Sequence, residues 1–217
     1  MKIVNLCEHD SLASQYMREL RDKEIQGDRL RFRTNVKRLG QIVAYELSKC
    51  LAYETLDTET PLAVAKTRVV SEPLVLATIL RAGLPFHEGM LSYLDQAENA
   101  FVSAYRQYHG HSDDFEVRIE YMASPFLDGK TLIIADPMLA TGCSMELAYR
   151  ALLTKGTPTH VHLACVIATD QAIDYVAKRF PEDTTVWTCD IDHELDHHSY
   201  IVPGLGDAGD LLYGAKT

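Results

Sequence analysis

Two short segments constrain the fold of this chain most, because each is a strand-length run of apolar residues without a polar face. They are Leu74–Leu80, with Thr78 as its polar exception, and residues 132–135, which read Leu-Ile-Ile-Ala. Strands of this kind lie in parallel sheets that are covered on both faces. Helical patterns alternate with the strands, which implies right-handed βαβ crossovers. The sequence therefore predicts an α/β fold, with a doubly wound and mainly parallel sheet flanked by helices.

The length and composition favour one domain. A chain of 217 residues, 47% of them hydrophobic, can bury a full core without a second domain. We therefore predict a single domain over residues 1–217. The predicted helices cover residues 11–23, 28–51, 86–95, 144–153 and 170–180, and the predicted strands cover 66–70, 74–80, 131–135, 159–167 and 184–189.

A short turn of small residues follows the second apolar strand and leads into a helix. The turn opens with Asp136 and Pro137 and contains Thr141 and Gly142, and Ser144 is the expected N-cap of the helix. Ligands of open parallel sheets bind beyond the carboxyl ends of the strands, where a helix N-terminus offers free N–H groups to a phosphate. Asp136 suits ribose hydroxyls or the neighbourhood of Mg²⁺ rather than phosphate itself. An ordinary junction between a strand and a capped helix is the alternative.

The first apolar strand also ends in ligand-binding residue types. Arg81 and Gly83 follow it directly, so a cation and a glycine are expected at the same edge of the sheet. The alternative is a surface turn with an arginine at its rim. Two strands of the chain end in ligand-binding residue types, which makes that alternative weaker.

A hairpin is predicted in the middle of the chain. Residues 100–106 and 115–121 have strand patterns and frame a polar centre at 109–114. We call this hairpin, at about residues 100–124, the flap. A flap can close over a reactive site and exclude water, or it can contact another subunit.

Near the C-terminus, residues 200–210 form a segment that is rich in glycine. Gly204, Gly206 and Gly209 fall within six residues. Backbone exposed in this way can read a flat heterocycle by its own N–H and C=O groups. A loose C-terminal loop is the alternative.

The charge and the cysteine content of the chain argue against several classes of protein. A formal net charge of -10 argues against a nucleic-acid surface, although local arginines and a metal ion still permit a small anionic substrate. The five cysteines are scattered and form no C-x-x-C pair, which is typical of reduced cytoplasmic thiols. No membrane-spanning run or signal peptide is expected.

Residues 193–197 read His-Glu-Leu-Asp-His and match the zinc motif H-E-x-x-H. The motif requires a helix, and little room for one exists between Cys189 and the Pro203 turn. No third ligand is evident at the spacing that such enzymes use. We therefore interpret the run as a solvated loop, and a zinc hydrolase is the weakest of the alternatives.

Several motifs together resemble the uracil phosphoribosyltransferase family, which has the type I phosphoribosyltransferase fold. Residues 136–144, Asp-Pro-Met-Leu-Ala-Thr-Gly-Cys-Ser, match eight of nine positions of the family's phosphoribosyl-diphosphate loop, Asp-Pro-Met-Leu-Ala-Thr-Gly-Gly-Ser. Residues 200–210, Tyr-Ile-Val-Pro-Gly-Leu-Gly-Asp-Ala-Gly-Asp, match its C-terminal motif. The resemblance also includes residues 18–22, 32–33, 53–54 and 79–84, so it covers nearly the whole chain.

The resemblance implies an enzyme of pyrimidine salvage that transfers ribose 5-phosphate from phosphoribosyl diphosphate to N1 of uracil, giving UMP and diphosphate with Mg²⁺. By the same resemblance, the catalytic residues are Arg81, Arg106, Asp136 and Asp207. The two arginines hold the diphosphate, and Asp207 serves the donor or its metal. Phosphoribosyl diphosphate also contacts the loop residues Pro137, Met138, Leu139, Ala140, Thr141, Gly142, Cys143 and Ser144. Residues about 190–217 recognise the base, with Ile201, Gly206, Asp207 and Ala208 at the uracil.

The family resemblance also carries expectations about cofactor and partners. Mg²⁺ is held mainly by phosphoribosyl diphosphate and water, without a direct side-chain ligand. A homodimer or a higher homo-oligomer is expected, and GTP is a candidate effector.

Three residues depart from the family pattern. Cys143 replaces a glycine, and a position that needs positive φ would be strained there by on the order of 1 kcal/mol. Gln107 follows Tyr105-Arg106 where the family has an acid, and Leu211 stands where an arginine is usual. These departures favour the main alternative, a non-catalytic or regulatory protein that binds uracil or UMP.

Overall fold

The fold was obtained as a computed structural model that describes residues 1–108 and 115–215, with side chains for 1–103 and 120–215. The α-helices are α1 (Leu12–Arg21), α2 (Arg29–Ser48), α3 (Leu84–Leu91), α4 (Cys143–Leu152), α5 (Asp170–Ala177) and α6 (Ala208–Tyr213). The strands are β1 (Lys2–Asn5), β2 (Tyr53–Glu59), β3 (Val64–Val70), β4 (Leu74–Leu80), β5 (Glu98–Tyr108), β6 (Phe115–Ala123), β7 (Thr131–Ala135), β8 (Met138–Leu139), β9 (His160–Thr169), β10 (Thr185–Asp192), β11 (Glu194–Leu195) and β12 (Ile201–Val202).

One mainly parallel sheet organises the fold. Its strand order is β1-β10-β9-β7-β4-β5-β6, and the short β8 pairs on β9. Every neighbouring pair is parallel except β5 and β6. The predicted α/β class, with a mainly parallel sheet between helices, is confirmed.

Apolar cores lie on both faces of the sheet, because the side chains of a strand alternate between its faces. In β4, Leu76 faces the cluster formed with α1, α2 and α3, whereas Val75 and Ala77 face the cluster formed with α4 and α5. In β7, Ile133 faces the first of these clusters and Ile134 faces the second. Full burial of each large side chain contributes about 1.5–3 kcal/mol to folding. The continuous apolar runs in the sequence are therefore explained by cores on both sides.

Helices α2 and α3 touch through two glycines. A Cβ atom on Gly40 would lie 2.3 Å from the carbonyl oxygen of Phe86, and one on Gly89 would lie 2.0 Å from the carbonyl oxygen of Lys37. Both distances are too short for a side chain. The two helix backbones are therefore in direct contact, which fixes α3 closely against α2.

The hairpin of β2 and β3 was not expected. The sequence placed a turn at residues 58–61 and a strand at 66–70, whereas β2 continues to Glu59 and pairs with Val64 of β3. Most side chains of both strands are exposed, so the apolar alternation that marks a half-buried strand is weak. The N-terminal edge strand β1 was also missed.

Other element ends differ by a few residues. Helix α3 begins at Leu84 rather than at residue 86, because Pro85 is tolerated in the first turn, where no intrahelical N–H bond is needed. It ends at Leu91 rather than at residue 95. The flap strands are β5 and β6, and the polar centre at residues 109–114 lies outside the described residues. Within the described ranges, no helix is long and apolar enough to cross a bilayer.

Candidate active site

The carboxyl ends of four adjacent parallel strands meet at one edge of the sheet. Strand β4 leads to Arg81, β7 leads to Asp136, β9 ends at Thr169, and β10 ends at Asp192. The pairing register places the ends of β4 and β7 side by side, because Thr78 near the end of β4 lies opposite Ala135 at the end of β7. This is the edge where doubly wound sheets bind ligands.

Asp136 lies in a nearly enclosed position directly after β7. Although part of the residue still meets solvent, the protein packed around it raises the pKa of its carboxyl from 3.8 to about 7. A backbone hydrogen bond from Met138 opposes this rise only in part. A carboxyl in this state can change its charge near neutral pH when a ligand replaces the surrounding solvent.

The loop of residues 136–144 is anchored on strand β9. The carbonyl oxygen of Pro137 accepts from the backbone N–H groups of Val166 and Ile167, at 3.1 and 3.0 Å. Met138 and Leu139 then form β8 against β9. The loop therefore has a fixed course, and it borders a small open cavity.

Gly142, rather than Ser144, is the N-cap of helix α4, so the predicted cap residue is wrong. Gly142 has φ +82, and a Cβ atom there would lie 2.8 Å from Cδ1 of Tyr175. Cys143 begins the helix, and the positive-φ residues of the described backbone do not include it. The strain considered for a cysteine in place of the family's second glycine is therefore not present. The backbone N–H of Cys143 donates to Oγ1 of Thr141 at 3.4 Å.

A polar cluster that the sequence did not reveal supports this loop from behind. The Tyr175 hydroxyl donates to Oε2 of Glu146 at 2.6 Å, and Nε of Arg179 lies 3.3 Å from the same oxygen. The Arg179 guanidinium also stacks 3.6 Å from the centre of the Tyr175 ring. Hydrogen bonding to Glu146, followed by burial, raises the pKa of Tyr175. The only sequence signal was that Tyr175 lies on the predicted helix 170–180.

Arg81 reaches the C-terminal helix. Its Nη2 donates to Oδ1 of Asp210 at 3.2 Å and to the carbonyl oxygen of Gly214 at 3.0 Å. The guanidinium carbon lies 5.9 Å from the centre of the Tyr213 ring. Nε of Arg81 is buried and has no hydrogen-bond partner among the described residues, whereas the side chain as a whole is 36% exposed and can be reached by a ligand.

The glycine-rich segment, residues 200–210, lies at the same edge. Ile201 pairs with Leu195 in the short β11–β12 ladder, and Ala208 begins α6. Oδ1 of Asp207 accepts from the N–H of Asp210 at 3.0 Å and so caps α6. A Cβ atom on Gly209 would lie 4.0 Å from Nε of Arg81.

The structure therefore brings together most of the residues that the sequence singled out. Met138 and Ala140 of the loop share one apolar cluster with Ile201 and Ala208 of the glycine-rich segment. Gly206, with φ +88, lies between Ile201 and Ala208 in the chain. A filled pocket, or a glycine-rich segment on the far side of the molecule, would have contradicted this arrangement.

Two residues of the flap remain outside this geometry. Arg106 and Gln107 lie on strand β5, but their side chains are outside the described residues.

Leu211 lies on α6 and packs against the apolar cluster that holds Ile201 and Ala208. An arginine at that position would replace this apolar contact.

The run His-Glu-Leu-Asp-His does not form a helix. Glu194 and Leu195 form strand β11, and a turn follows that ends in Ser199 with φ 63. Nδ1 of His193 lies 2.6 Å from Oδ2 of Asp170. Among the described residues, no group of three His, Cys, Asp or Glu side chains is placed to hold a metal ion.

The sheet order, the small-residue loop after β7 and the cation after β4 are those of a phosphoribosyltransferase-like α/β protein. A solved hypoxanthine phosphoribosyltransferase from Staphylococcus aureus has the same fold, with a TM-score of 0.50 at 15% identity, over 75% of this chain and 76% of that chain. A family model described as uracil phosphoribosyltransferase matches residues 7–215. The chain belongs to the uracil phosphoribosyltransferase family.

Individual relatives agree with that assignment. A uracil phosphoribosyltransferase of Porphyromonas gingivalis is 55% identical over 216 residues, which is 100% of both chains. One from Sulfolobus acidocaldarius is 36% identical over 92% of this chain and 94% of its own length. The solved AQ2163 protein from Aquifex aeolicus is similar with a TM-score of 0.87 and 31% identity, over 99% of both chains.

Proposed function

We propose that this chain, as one phosphoribosyltransferase domain, transfers ribose 5-phosphate from phosphoribosyl diphosphate to N1 of uracil and gives UMP and diphosphate. The observation that carries the proposal is the meeting of Arg81, the 136–144 loop and the glycine-rich segment at one edge of the sheet. Family membership supports the same reaction, as part of pyrimidine salvage.

The chemistry requires stabilisation of a leaving anion more than it requires a protein nucleophile. The bond from C1 of the ribose to the diphosphate oxygen breaks, and its electron pair leaves with diphosphate. N1 of uracil supplies the pair for the new bond to C1, and its proton is released to water. The transition state at such an anomeric carbon resembles an oxocarbenium ion. Cations that contact the departing diphosphate therefore lower the barrier.

The proposed residue roles combine the family resemblance with the position of each residue in the chain. Arg81 donates to the diphosphate through the exposed part of its guanidinium, and Arg106 of β5 is the second cation of the proposal. Backbone N–H groups at the start of α4, with Thr141 and Ser144, hold the 5-phosphate. Asp136 accepts from the ribose hydroxyls.

Mg²⁺ fits the donor set that the edge offers. Asp136 and Asp207 present carboxylate oxygens there, which are the hard ligands that Mg²⁺ takes, often through water. When bound, Mg²⁺ neutralises charge on the diphosphate. Asp207, which also caps α6, serves the donor or its metal. No direct side-chain ligand is required, because substrate oxygens and water complete the shell.

The glycine-rich segment reads the base by its backbone. Ile201, Gly206 and Ala208 supply N–H and C=O groups to the uracil edge, with Asp207 beside them. A uracil edge alternates acceptors and one donor, so backbone groups at fixed positions can distinguish it from cytosine.

The β2–β3 hairpin supports a homo-oligomer, with a homodimer as the first expectation. The exposed fractions of Leu56, Leu62 and Val64 are 45%, 97% and 63%. Apolar side chains that are exposed together in this way often lie in an interface between subunits. Light scattering after gel filtration tests this: the protein should elute as a dimer or larger, and replacement of these three residues by serine should give monomer.

The GTP effector rests on the resemblance alone and is tested by adding GTP to the assay below. A cytoplasmic location is supported by five unpaired cysteines.

A coupled assay for UMP tests the proposed reaction. Wild-type protein should form UMP from uracil and phosphoribosyl diphosphate with Mg²⁺, and Asp136→Asn and Arg106→Ala should lose nearly all turnover. His193→Ala is the control and should retain full activity, because its imidazole lies outside the site. Uracil binding without turnover in wild-type protein would instead indicate a non-catalytic binder.

A further inference from the structure

Arg21, at the end of helix α1, connects three parts of the chain that are far apart in sequence. Its Nη1 donates to Oδ2 of Asp192 at 2.7 Å and to the carbonyl oxygen of Gly204 at 3.0 Å. Its Nη2 donates to Oδ2 of Asp190 at 2.8 Å and to Oδ1 of Asp192 at 2.9 Å. One guanidinium thus makes four hydrogen bonds, two of them to one carboxylate in the paired geometry that arginine prefers.

Both backbone polar groups of Gly204 are held by this network. Its carbonyl oxygen accepts from Arg21, and its N–H donates to Oδ2 of Asp192 at 2.8 Å. The turn is also tight, because a Cβ atom on Gly204 would lie 2.0 Å from the carbonyl oxygen of Ile201. The turn therefore cannot shift unless these bonds break.

The network is partly shielded from water, so its geometry is well defined. The side chain of Arg21 is 21% exposed and that of Asp192 is 8% exposed. Burial alone would raise the pKa of Asp192, but hydrogen bonds from Arg21 and from the Gly204 N–H lower it overall. Burial alone would lower the pKa of Arg21, but its bonds to Asp192 and Asp190 raise it overall. Arg21 and Asp192 are therefore both charged at neutral pH.

The glycine-rich segment continues directly from this turn towards the proposed base site. Ile201 lies before the turn, and Gly206 lies two residues after Gly204. The side chain of Gln26 also contacts α1, since its Nε2 donates to the carbonyl oxygen of Arg21 at 3.1 Å. Its Oε1 lies 4.0 Å from the position of a Cβ atom on Gly206.

We propose that Arg21 is a positioning residue for uracil recognition, because it holds the Gly204 turn and thereby sets the backbone groups that read the base. The inference rests on the proposed function and deepens it. Arg21 makes none of the contacts described for Arg81 or the 136–144 loop. Its loss should therefore weaken the use of uracil and leave the use of phosphoribosyl diphosphate nearly unchanged.

The kinetic test compares the two Michaelis constants in Arg21→Lys. A lysine ammonium cannot reach Asp190, Asp192 and the Gly204 carbonyl together in the fixed fork of a guanidinium. We expect KM for uracil to rise about 10-fold and KM for phosphoribosyl diphosphate to change by less than about 2-fold. Arg21→Gln, which loses the charge as well, should raise KM for uracil further than Arg21→Lys does.

Arg31→Lys is the matched control. Arg31 also forms a paired contact with a carboxylate, since its Nε and Nη2 donate to the two oxygens of Glu19 at 2.9 Å each. That pair joins α1 to α2 and does not touch the glycine-rich segment. Both Michaelis constants should therefore stay within about 2-fold of wild type in Arg31→Lys. Equal rises of both constants in Arg21→Lys, or an unchanged KM for uracil, would overturn the inference.

A second measurement does not require activity. Amide hydrogen exchange over residues 201–208 should become faster in Arg21→Lys and in Asp192→Asn, and should stay as in wild type in Arg31→Lys. Unchanged exchange in folded Arg21→Lys and Asp192→Asn would refute the positioning role even if the kinetics changed. A wild-type protein that forms no UMP would contradict the proposed function instead, while the exchange result would still decide whether Arg21 holds the turn.

Discussion

Arg81 and Asp210 form an ion pair, with 3.2 Å between Nη2 and Oδ1, that joins the loop after β4 to the C-terminal helix. Arg81 is also the cation proposed for the diphosphate. Substrate must therefore share this guanidinium with Asp210 and with the carbonyl oxygen of Gly214. The contact links binding of the donor to the position of α6.

Asp210→Asn should increase the affinity for phosphoribosyl diphosphate. Both side chains of the pair are partly exposed, and such pairs contribute up to about 1 kcal/mol, which corresponds to roughly 5-fold in binding. We expect KM for phosphoribosyl diphosphate to fall by about 2- to 5-fold. Asp183→Asn removes the same charge near the start of β10, at the opposite edge of the sheet, and should leave this KM unchanged. A higher KM in Asp210→Asn would show that the aspartate assists the donor rather than competes with it.

Gly142→Ala should impair the 5-phosphate site. A side chain at φ +82 costs about 1–2 kcal/mol, and its Cβ would also press on the Tyr175 ring at 2.8 Å. We expect kcat/KM for phosphoribosyl diphosphate to fall at least about 10-fold, measured by initial rates. Gly27→Ala is the control, since a Cβ atom there meets nothing within 4 Å. Equal activity of the two variants would contradict the role given to Gly142.

Asp136→Asn should change how stability depends on pH in the absence of substrate and metal. The pKa of Asp136 in the folded chain, about 7, lies above its ordinary value of 3.8, so the folded form binds the proton more tightly. The wild-type free energy of unfolding therefore loses a contribution as pH rises from about 4 to about 7. The stability of Asp136→Asn relative to wild type should increase by roughly 1–3 kcal/mol between pH 5 and pH 8.

Denaturant unfolding at both pH values measures this difference. Asp174→Asn, at an exposed site on α5, is the control and should show a smaller change. A constant difference between Asp136→Asn and wild type across this range would exclude a raised pKa at Asp136.

His162 should make the protein sensitive to acid. Burial, followed by the charge of His160, lowers its pKa from 6.5 to about 4, and its Nδ1 accepts from Nε1 of Trp187 at 3.3 Å. The neutral ring therefore contributes stability that is present above pH 6.5 and is lost as pH falls towards 4. His162→Asn keeps an acceptor near Nδ1 and should lose about 1–2 kcal/mol less than wild type between pH 7 and pH 5.

Urea unfolding at the two pH values tests the role of His162. His197→Asn, which changes an exposed histidine, should follow the wild-type pH profile. If His162→Asn follows that profile too, the acid sensitivity arises elsewhere.

The central strands and the loop after β7 could be predicted because their signals are local. A strand buried on both faces must be apolar throughout, and a small-residue turn before a helix is visible in consecutive residues. The hairpin of β2 and β3 has no such signal, since both of its faces are largely exposed. The cap of α4 was misplaced because Ser144 is the better cap by residue type, whereas Gly142 is the residue that tolerates positive φ.

Contacts between distant residues could not be predicted. Arg21 and Asp192 are separated by 171 positions, and no pattern within either segment predicts that they pair. Tyr175 of α5 and Glu146 of α4 are 29 positions apart and meet only in the folded chain. Local sequence patterns thus indicate strands and loops better than they indicate which distant side chains pair.

The glycine contact between α2 and α3 limits how this protein can vary. Helix α3 starts three residues after Arg81, so any displacement of α3 is transmitted to that cation within one turn. A single methyl group at Gly40 or Gly89 would force the helix backbones apart. Two positions remote from the chemistry therefore tolerate no side chain at all, and random mutagenesis screened for growth should find them as intolerant as the 136–144 loop.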